Sequence, residues 1–170
     1  LHESLRIQLA QLDTAETQLE DLARAVEEGA RRVGELAGRL SRKRVEATKK
    51  LMMQVTKELS ALRMERTRFG VEVVPLTGVT TYGQTGQDSV EFVFSANPGE
   101  PLKPLAKVAS GGELSRVMLA LKTVLAESDR VPVLIFDEVD AGVGGAVAEV
   151  MGTRLRDLSR HHQVLCVTHL

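Results

Sequence analysis

Tryptophan is absent from the 170 residues, and aromatic side chains make up only 3% of them. A surface that stacks nucleic-acid bases needs several aromatics, so that mode of binding has little to work with. Cysteine occurs once, at Cys166, so no internal disulfide can form, which fits a reducing compartment. No apolar run approaches the ~18 residues of a bilayer-spanning helix. The opening Leu1-His2-Glu3 lacks the basic and apolar segments of a secretory signal. Net charge is close to absent, at −1, with 43% hydrophobic and 26% charged residues. That balance is ordinary for a folded soluble domain and argues against disorder or collagen-like structure. The length fits roughly one domain. The first residue is Leu rather than Met, and we expect the chain to be part of a longer one.

Charge is present but segregated. Residues 1–30 carry Arg6 and Arg24 against seven acids; residues 31–50 carry eight basic side chains against Glu35 and Glu46. The basic band reads as a solvated helix face, because its charges are spaced around the helix. A contact with DNA phosphates is the second reading.

The first 40 residues contain no proline and hold a seven-residue apolar repeat. Leu5, Leu12, Leu19, Val26, Val33 and Leu40 form one register; Leu1, Gln8, Ala15, Leu22, Gly29 and Leu36 form its companion. This is the seam of a coiled coil. The phase slips across residues 41–44 and resumes at Val45, Thr48, Met52, Val55, Leu59 and Leu62, a stutter in one helix rather than a turn. Sixty helical residues would span about 90 Å. The expectation is a coiled-coil arm over 1–66 whose partner helix lies in another segment or another copy. Met52, Met53 and Met64 are expected as seam or core filler.

Character changes beyond residue 67. Alternation predicts strands at 69–74 and 90–94, joined by a Gly- and Thr-rich connection. Helices are predicted at about 111–127 and 144–160. Val131–Phe136 and Val164–Val167 read as strands buried on both faces, with Cys166 an inert packing residue. Strand, helix and strand in succession imply a parallel sheet, hence an α/β fold.

Three motifs fall at the ends of these elements. Val133-Leu134-Ile135-Phe136 runs into Asp137-Glu138, placing two acids at the C-terminal end of a strand, where open α/β sheets bind ligands. Phosphoryl transfer from a nucleotide needs one carboxylate to hold Mg²⁺ and a group to orient water. The plainer reading is two acids capping the next turn. Ser110-Gly111-Gly112-Glu113 precedes a helix and fits a capping box, Ser110 and Glu113 bonding reciprocally. A capping box needs no glycine pair, whereas bare amides at a positive helix end suit a phosphate. His169, after Val164–Val167, reads in isolation as an ordinary surface histidine.

In order, Ser110-Gly111-Gly112-Glu113, Asp137-Glu138, Asp140 and His169 resemble the signature loop, Walker B with its glutamate, D-loop and switch histidine of ABC-type ATPase heads. A coiled coil feeding such a head resembles the SMC/Rad50-like branch. Asn97-Pro98-Gly99-Glu100-Pro101-Leu102, Lys107 to Arg116, Phe136 to Gly145, and Cys166 to Leu170 resemble the RecN family of DNA repair proteins. The resemblance implies that 67–170 is the C-terminal lobe of an ABC-type ATPase head. It implies Asp137 as Mg²⁺ ligand, Glu138 and His169 as catalytic groups, and Ser110, Gly111, Gly112, Glu113 and Asp140 as ATP-binding groups. The implied partners are double-stranded DNA ends, a Walker A lobe, a second coiled-coil helix, and a second copy across sandwiched ATP. The implied setting is the bacterial cytoplasm, at the nucleoid and not in a membrane. No Gly-x-x-x-x-Gly-Lys-Ser/Thr occurs in the chain, and no Q-loop is identified. We therefore expect no ATP hydrolysis by this segment alone. Two further readings stay open: a coiled-coil interaction protein with a non-catalytic head, and a carboxylate metal enzyme built on Asp137, Glu138 and Asp140.

Overall fold

A computed structural model describes residues 2–77, 82–107 and 111–168. Helix α1 runs unbroken from His2 to Ala61. It is proline-free and rich in Leu, Ala, Glu and Arg, the strong helix formers. Arg24 pairs with Glu20 at 3.4 Å and Arg31 with Glu35 at 3.1 Å, each one turn apart along the exposed surface. The phase slip at 41–44 leaves the helix intact, as a stutter should.

The helix stops without glycine or proline. Arg63 takes a left-handed φ of 57°. Its N–H donates to the Ser60 carbonyl at 3.1 Å, and the Met64 N–H donates to the Leu59 carbonyl at 2.9 Å. That bond pair is a Schellman ending, and buried Met64 and Leu59 supply its apolar contact.

Strands β1 (Arg68–Pro75), β2 (Asp88–Ser95) and β3 (Lys103–Pro104) form a sheet in that order. The β2–β3 pair is antiparallel, with Val93 opposite Pro104. A short 3₁₀ turn, Leu105–Lys107, follows. After helix α2 (Gly111–Leu125) come β4 (Val133–Asp137), α3 (Ala146–Leu158) and β5 (Gln163–Val167). β4 and β5 pair in parallel, Val133 opposite Gln163 through Asp137 opposite Val167, with α3 as the crossover.

The chain divides into two compact units. One comprises Leu1–Lys43 and Pro75–Asp88. In it Leu5, Leu12, Leu19, Leu22, Val26, Val33, Leu36 and Leu40 of the α1 seam are exposed, Leu12 at 67%. The segment after β1 tightens into a two-residue turn, with Gly83 and Gly86 exchanging both backbone hydrogen bonds. Ser41 Oγ donates to buried Asp88 Oδ1 at 3.0 Å. A Cβ at Gly34 would stand 3.1 Å from the Tyr82 hydroxyl.

The other unit, Arg44–Val74 with Ser89–Leu170, holds the main core. Val55 and Leu59 from the end of α1, with Leu62 just beyond it, meet Phe94, Val117, Leu119, Leu121, Leu134, Phe136, Val139, Met151 and Leu158. The second apolar register therefore packs into this core at Val55, Leu59 and Leu62, at the root of α1. Met52 and Met64 pack there, but Met53 is 69% exposed and lies outside the core. Arg154 clamps Glu58 from two nitrogens, Nε at 2.7 Å and Nη2 at 3.2 Å, fixing α3 against the α1 root.

The expectation of strands buried on both faces fails. Along β4, burial alternates: Leu134 and Phe136 are in the core, whereas Ile135 is 67% exposed. Leu165, Cys166 and Val167 of β5 are also exposed. An unbroken apolar run shows that both faces suit burial, and within this chain the helices cover one of them.

Candidate functional site

The polypeptide turns sharply at the C-terminal end of β4. Asp137 is the last strand residue. The Glu138 N–H still reaches the Val167 carbonyl at 3.3 Å, but Glu138 itself adopts φ 55°. The backbone thus passes from extended at Asp137 to left-handed at Glu138. The Ala141 N–H closes the turn on the Glu138 carbonyl at 3.0 Å, and the Val143 N–H bonds the Asp140 carbonyl at 3.0 Å. Val139 pins this turn into the core with 1% of its surface exposed, leaving Asp137 and Glu138 exposed and Asp140 half-buried.

The first turns of α2 lie against that turn. A Cβ on Gly111 would collide with the Glu138 carboxylate. One on Gly112 would stand 3.0 Å from the Glu138 carbonyl oxygen and 3.1 Å from the Ala141 Cβ. Glycine is therefore required by close approach at Gly112, a demand that capping alone does not make, whereas at Gly111 the neighbour is the end of the exposed Glu138 side chain, which can swing aside. Ser115 Oγ donates to the Asp137 carbonyl at 2.6 Å, and Arg116 Nη1 donates to the Ala141 carbonyl at 3.0 Å. Sequence reasoning missed Ser115 and Arg116. Each stands four residues after a glycine, Ser115 after Gly111 and Arg116 after Gly112, which stacks it over that glycine on the same helix face, and that periodicity was the available signal.

The structure brings Gly111, Gly112, Asp137 and Glu138 together on one edge, with Asp140 in the same turn. Glu113 is exposed on α2. Ser110 and His169, and with Ser110 the capping box, lie outside the described residues. Gly145, with φ 57°, precedes α3 as expected of a glycine opening that helix.

Partial burial, reinforced by the negative charges of Asp140 and Asp137, pushes the Cys166 thiol above its usual range. Cys166 is thus kept a neutral thiol by its surroundings while remaining exposed, in place of the buried packing role expected for it. Among the described residues, no group of three or more His, Cys, Asp or Glu could hold a metal ion. A self-sufficient carboxylate metal centre accordingly lacks its ligand set there. The exposed Asp137 suits a different task, giving one carboxylate to a Mg²⁺ ion that takes its other ligands from phosphate and water.

No protein-family model matches the chain. DNA repair protein RecN of Vibrio cholerae is 42% identical over 169 residues, covering 99% of this chain and 30% of that protein. The RecN of Mycobacterium leprae is 45% identical over 182 residues, covering 97% and 31%. That of Treponema pallidum is 51% identical over 138 residues, covering 79% and 24%. The chain thus spans about three tenths or less of the length of these curated relatives. Among solved structures, the Smc head domain with an extended coiled coil from Pyrococcus furiosus covers 95% of this chain and 48% of its own, at 18% identity and TM-score 0.44. The SmcHead bound to the C-winged helix domain of ScpA covers 74% and 36%, at 17% identity and TM-score 0.44. Among the described residues, no helix is long and apolar enough to cross a membrane.

Proposed function

From the premise of a RecN-type sequence, we propose that this chain is part of an ATP-dependent DNA double-strand-break repair protein. It contributes a coiled-coil arm over 1–66 and the C-terminal lobe of an ATPase head over 67–170. The observation that carries the reading is the packing of the Gly111-Gly112 end of α2 against the acidic turn after β4. That packing joins an amide-lined helix end to the carboxylates that nucleotide chemistry requires.

In this reading Asp137 would hold Mg²⁺, which when bound would supply neutralisation of charge on the phosphates. Glu138 accepts a hydrogen bond from water and, as general base, a proton. Its exposure leaves the carboxylate free to leave Gly111 and meet a ligand. Gly111 and Gly112 present backbone to a phosphate, with Ser110 and Glu113 beside them and Asp140 at the facing turn. His169 acts on the same phosphate. The head works as a homodimer in which each α2 end faces ATP bound by the other copy. The Walker A lobe and a second arm helix come from segments outside this chain, and the chain alone is inactive. Its partner is DNA with double-stranded ends, in the bacterial cytoplasm at the nucleoid.

The test is made in the full-length protein. Glu138→Gln should retain ATP-dependent dimerisation while hydrolysis stalls; Asp137→Asn should lose Mg²⁺-dependent turnover. Ser110→Arg should abolish dimerisation, by light scattering, while single heads still bind ATP. Wild-type turnover by Glu138→Gln would refute the catalytic assignment. Unimpaired dimerisation by Ser110→Arg would leave Ser110 a helix cap and return the reading to a coiled-coil interaction protein.

A further inference from the structure

Three backbone carbonyls of the turn after β4 are engaged by one face of α2. Ser115 Oγ takes the Asp137 carbonyl, Arg116 Nη1 takes the Ala141 carbonyl, and the open face of Gly112 admits the Glu138 carbonyl. Backbone contacts of this kind set the path of the chain whatever side chains the turn carries. The other supports of the turn are its internal bonds, Ala141 to Glu138 and Val143 to Asp140, the Glu138 N–H bond to the Val167 carbonyl, and the buried Val139 side chain. Asp140 lies between Val139, which is buried in the core, and Ala141, whose carbonyl Arg116 holds. Arg116 also lies against the space beside Gly112, 3.3 Å from where a Cβ would stand. It therefore touches both the glycine end of α2 and the far end of the acidic turn.

We propose that Arg116 is a positioning residue, which couples the glycine end of α2 to the Asp137–Ala141 turn so that engagement of one sets the geometry of Glu138 and Asp140. The inference rests on the nucleotide reading above and adds a route within that site. Arg suits the task because its planar, permanently charged fork holds a carbonyl at fixed geometry while spanning from the helix. Ser115 anchors the strand end of the turn, and Arg116 anchors its exit. An α2 end displaced by a phosphate would drag both anchors, and with them the carboxylates between.

The experiment uses the full-length protein with Arg116→Ala and Arg116→Lys. For Arg116→Ala we expect kcat for ATP to fall about tenfold, with KM within about twofold, the pattern of an interaction needed at the reacting geometry and not for binding. Arg116→Lys keeps the charge without the fork and should recover only part of the loss. ATP-dependent dimerisation, measured in a Glu138→Gln background, should stay within about twofold of the parent, because the α2 end itself is intact. Amide exchange at Ala141–Val143 should accelerate in Arg116→Ala, while that of β4 stays unchanged. This readout is independent of turnover. A variant with unchanged exchange at 141–143 and unchanged kcat overturns the proposal. So does a parallel loss of kcat, dimerisation and melting temperature, which would make Arg116 a structural residue. Accelerated exchange in a protein whose wild type shows no ATPase activity would refute the nucleotide reading while keeping the anchor, separating the two failures.

Discussion

Gly112→Ala is a substitution whose effect should run against helix propensity. In an open helical position, Gly to Ala gains up to about 1 kcal/mol. Gly152 in α3 is such a position, exposed and with nothing within 4 Å of its added Cβ. At Gly112 the same Cβ meets the Glu138 carbonyl oxygen at 3.0 Å, the Ala141 Cβ at 3.1 Å and Arg116 Nη1 at 3.3 Å. Arg116 can swing aside, but the other two neighbours belong to a turn whose Val139 is locked in the core. Relief requires a backbone shift of a few tenths of an ångström, and overpacking of that kind costs about 1–3 kcal/mol. Set against the propensity gain, Gly112→Ala should lose about 1–2 kcal/mol while Gly152→Ala gains about 0.5–1 kcal/mol. Urea midpoints by pulse proteolysis report opening of the packed core and are not dominated by the signal of α1. Stabilisation by both variants, to the same degree, would refute the close approach of α2 to the turn.

At the end of α1, Arg63→Gly should stabilise the chain by roughly 0.5–1 kcal/mol, because glycine accepts the left-handed φ without a Cβ penalty; a lower urea midpoint would contradict the Schellman assignment. Asp129 accepts hydrogen bonds from Lys122 Nζ and from the Val131 N–H, and these hold its carboxyl below the ordinary range. Its contribution is complete above the unfolded value of about 3.9 and is lost as pH falls through the lower folded value. The stability gap between wild type and Asp129→Asn should therefore hold from neutral pH to about 4 and close below it; a gap constant down to the lowest folded pH would refute this. Reversing Arg and Lys to Glu across 31–50 should change DNA affinity of the full-length protein by less than about twofold if the band is a solvated face, and a large loss with a shallower salt dependence would reassign it to phosphate contact.

The elements that could be read from the sequence are those whose signal is local and repeated. The heptads made α1 one helix, and an apolar run followed by a helix and a second run made β4–α3–β5 parallel. β3 escaped because Lys103-Pro104 carries no alternation and its proline suits only an edge. The ending of α1 escaped because arginine stands where glycine is the usual signal. Ile135 and Leu165 were misassigned because composition reports what could be covered, and coverage depends on which helices this chain supplies. At the candidate site, Gly111, Gly112, Asp137 and Glu138 stood out as motifs. Their mutual contact, and the roles of Ser115 and Arg116 in it, depend on bonds to backbone carbonyls, which leave no trace in residue type.

The left-handed φ of Glu138 sets evolvability at that position against stability. A long side chain held at φ 55° pays a conformational penalty that glycine escapes and asparagine pays less of. A screen that rewards only thermal resistance or expression would therefore enrich Gly and Asn at 138 and discard the carboxylate proposed there as a general base. Libraries built for robustness should hold this codon fixed. If selection for activity restores Glu from such a library, the trade between backbone comfort and proton transfer will have been read directly from the surviving clones.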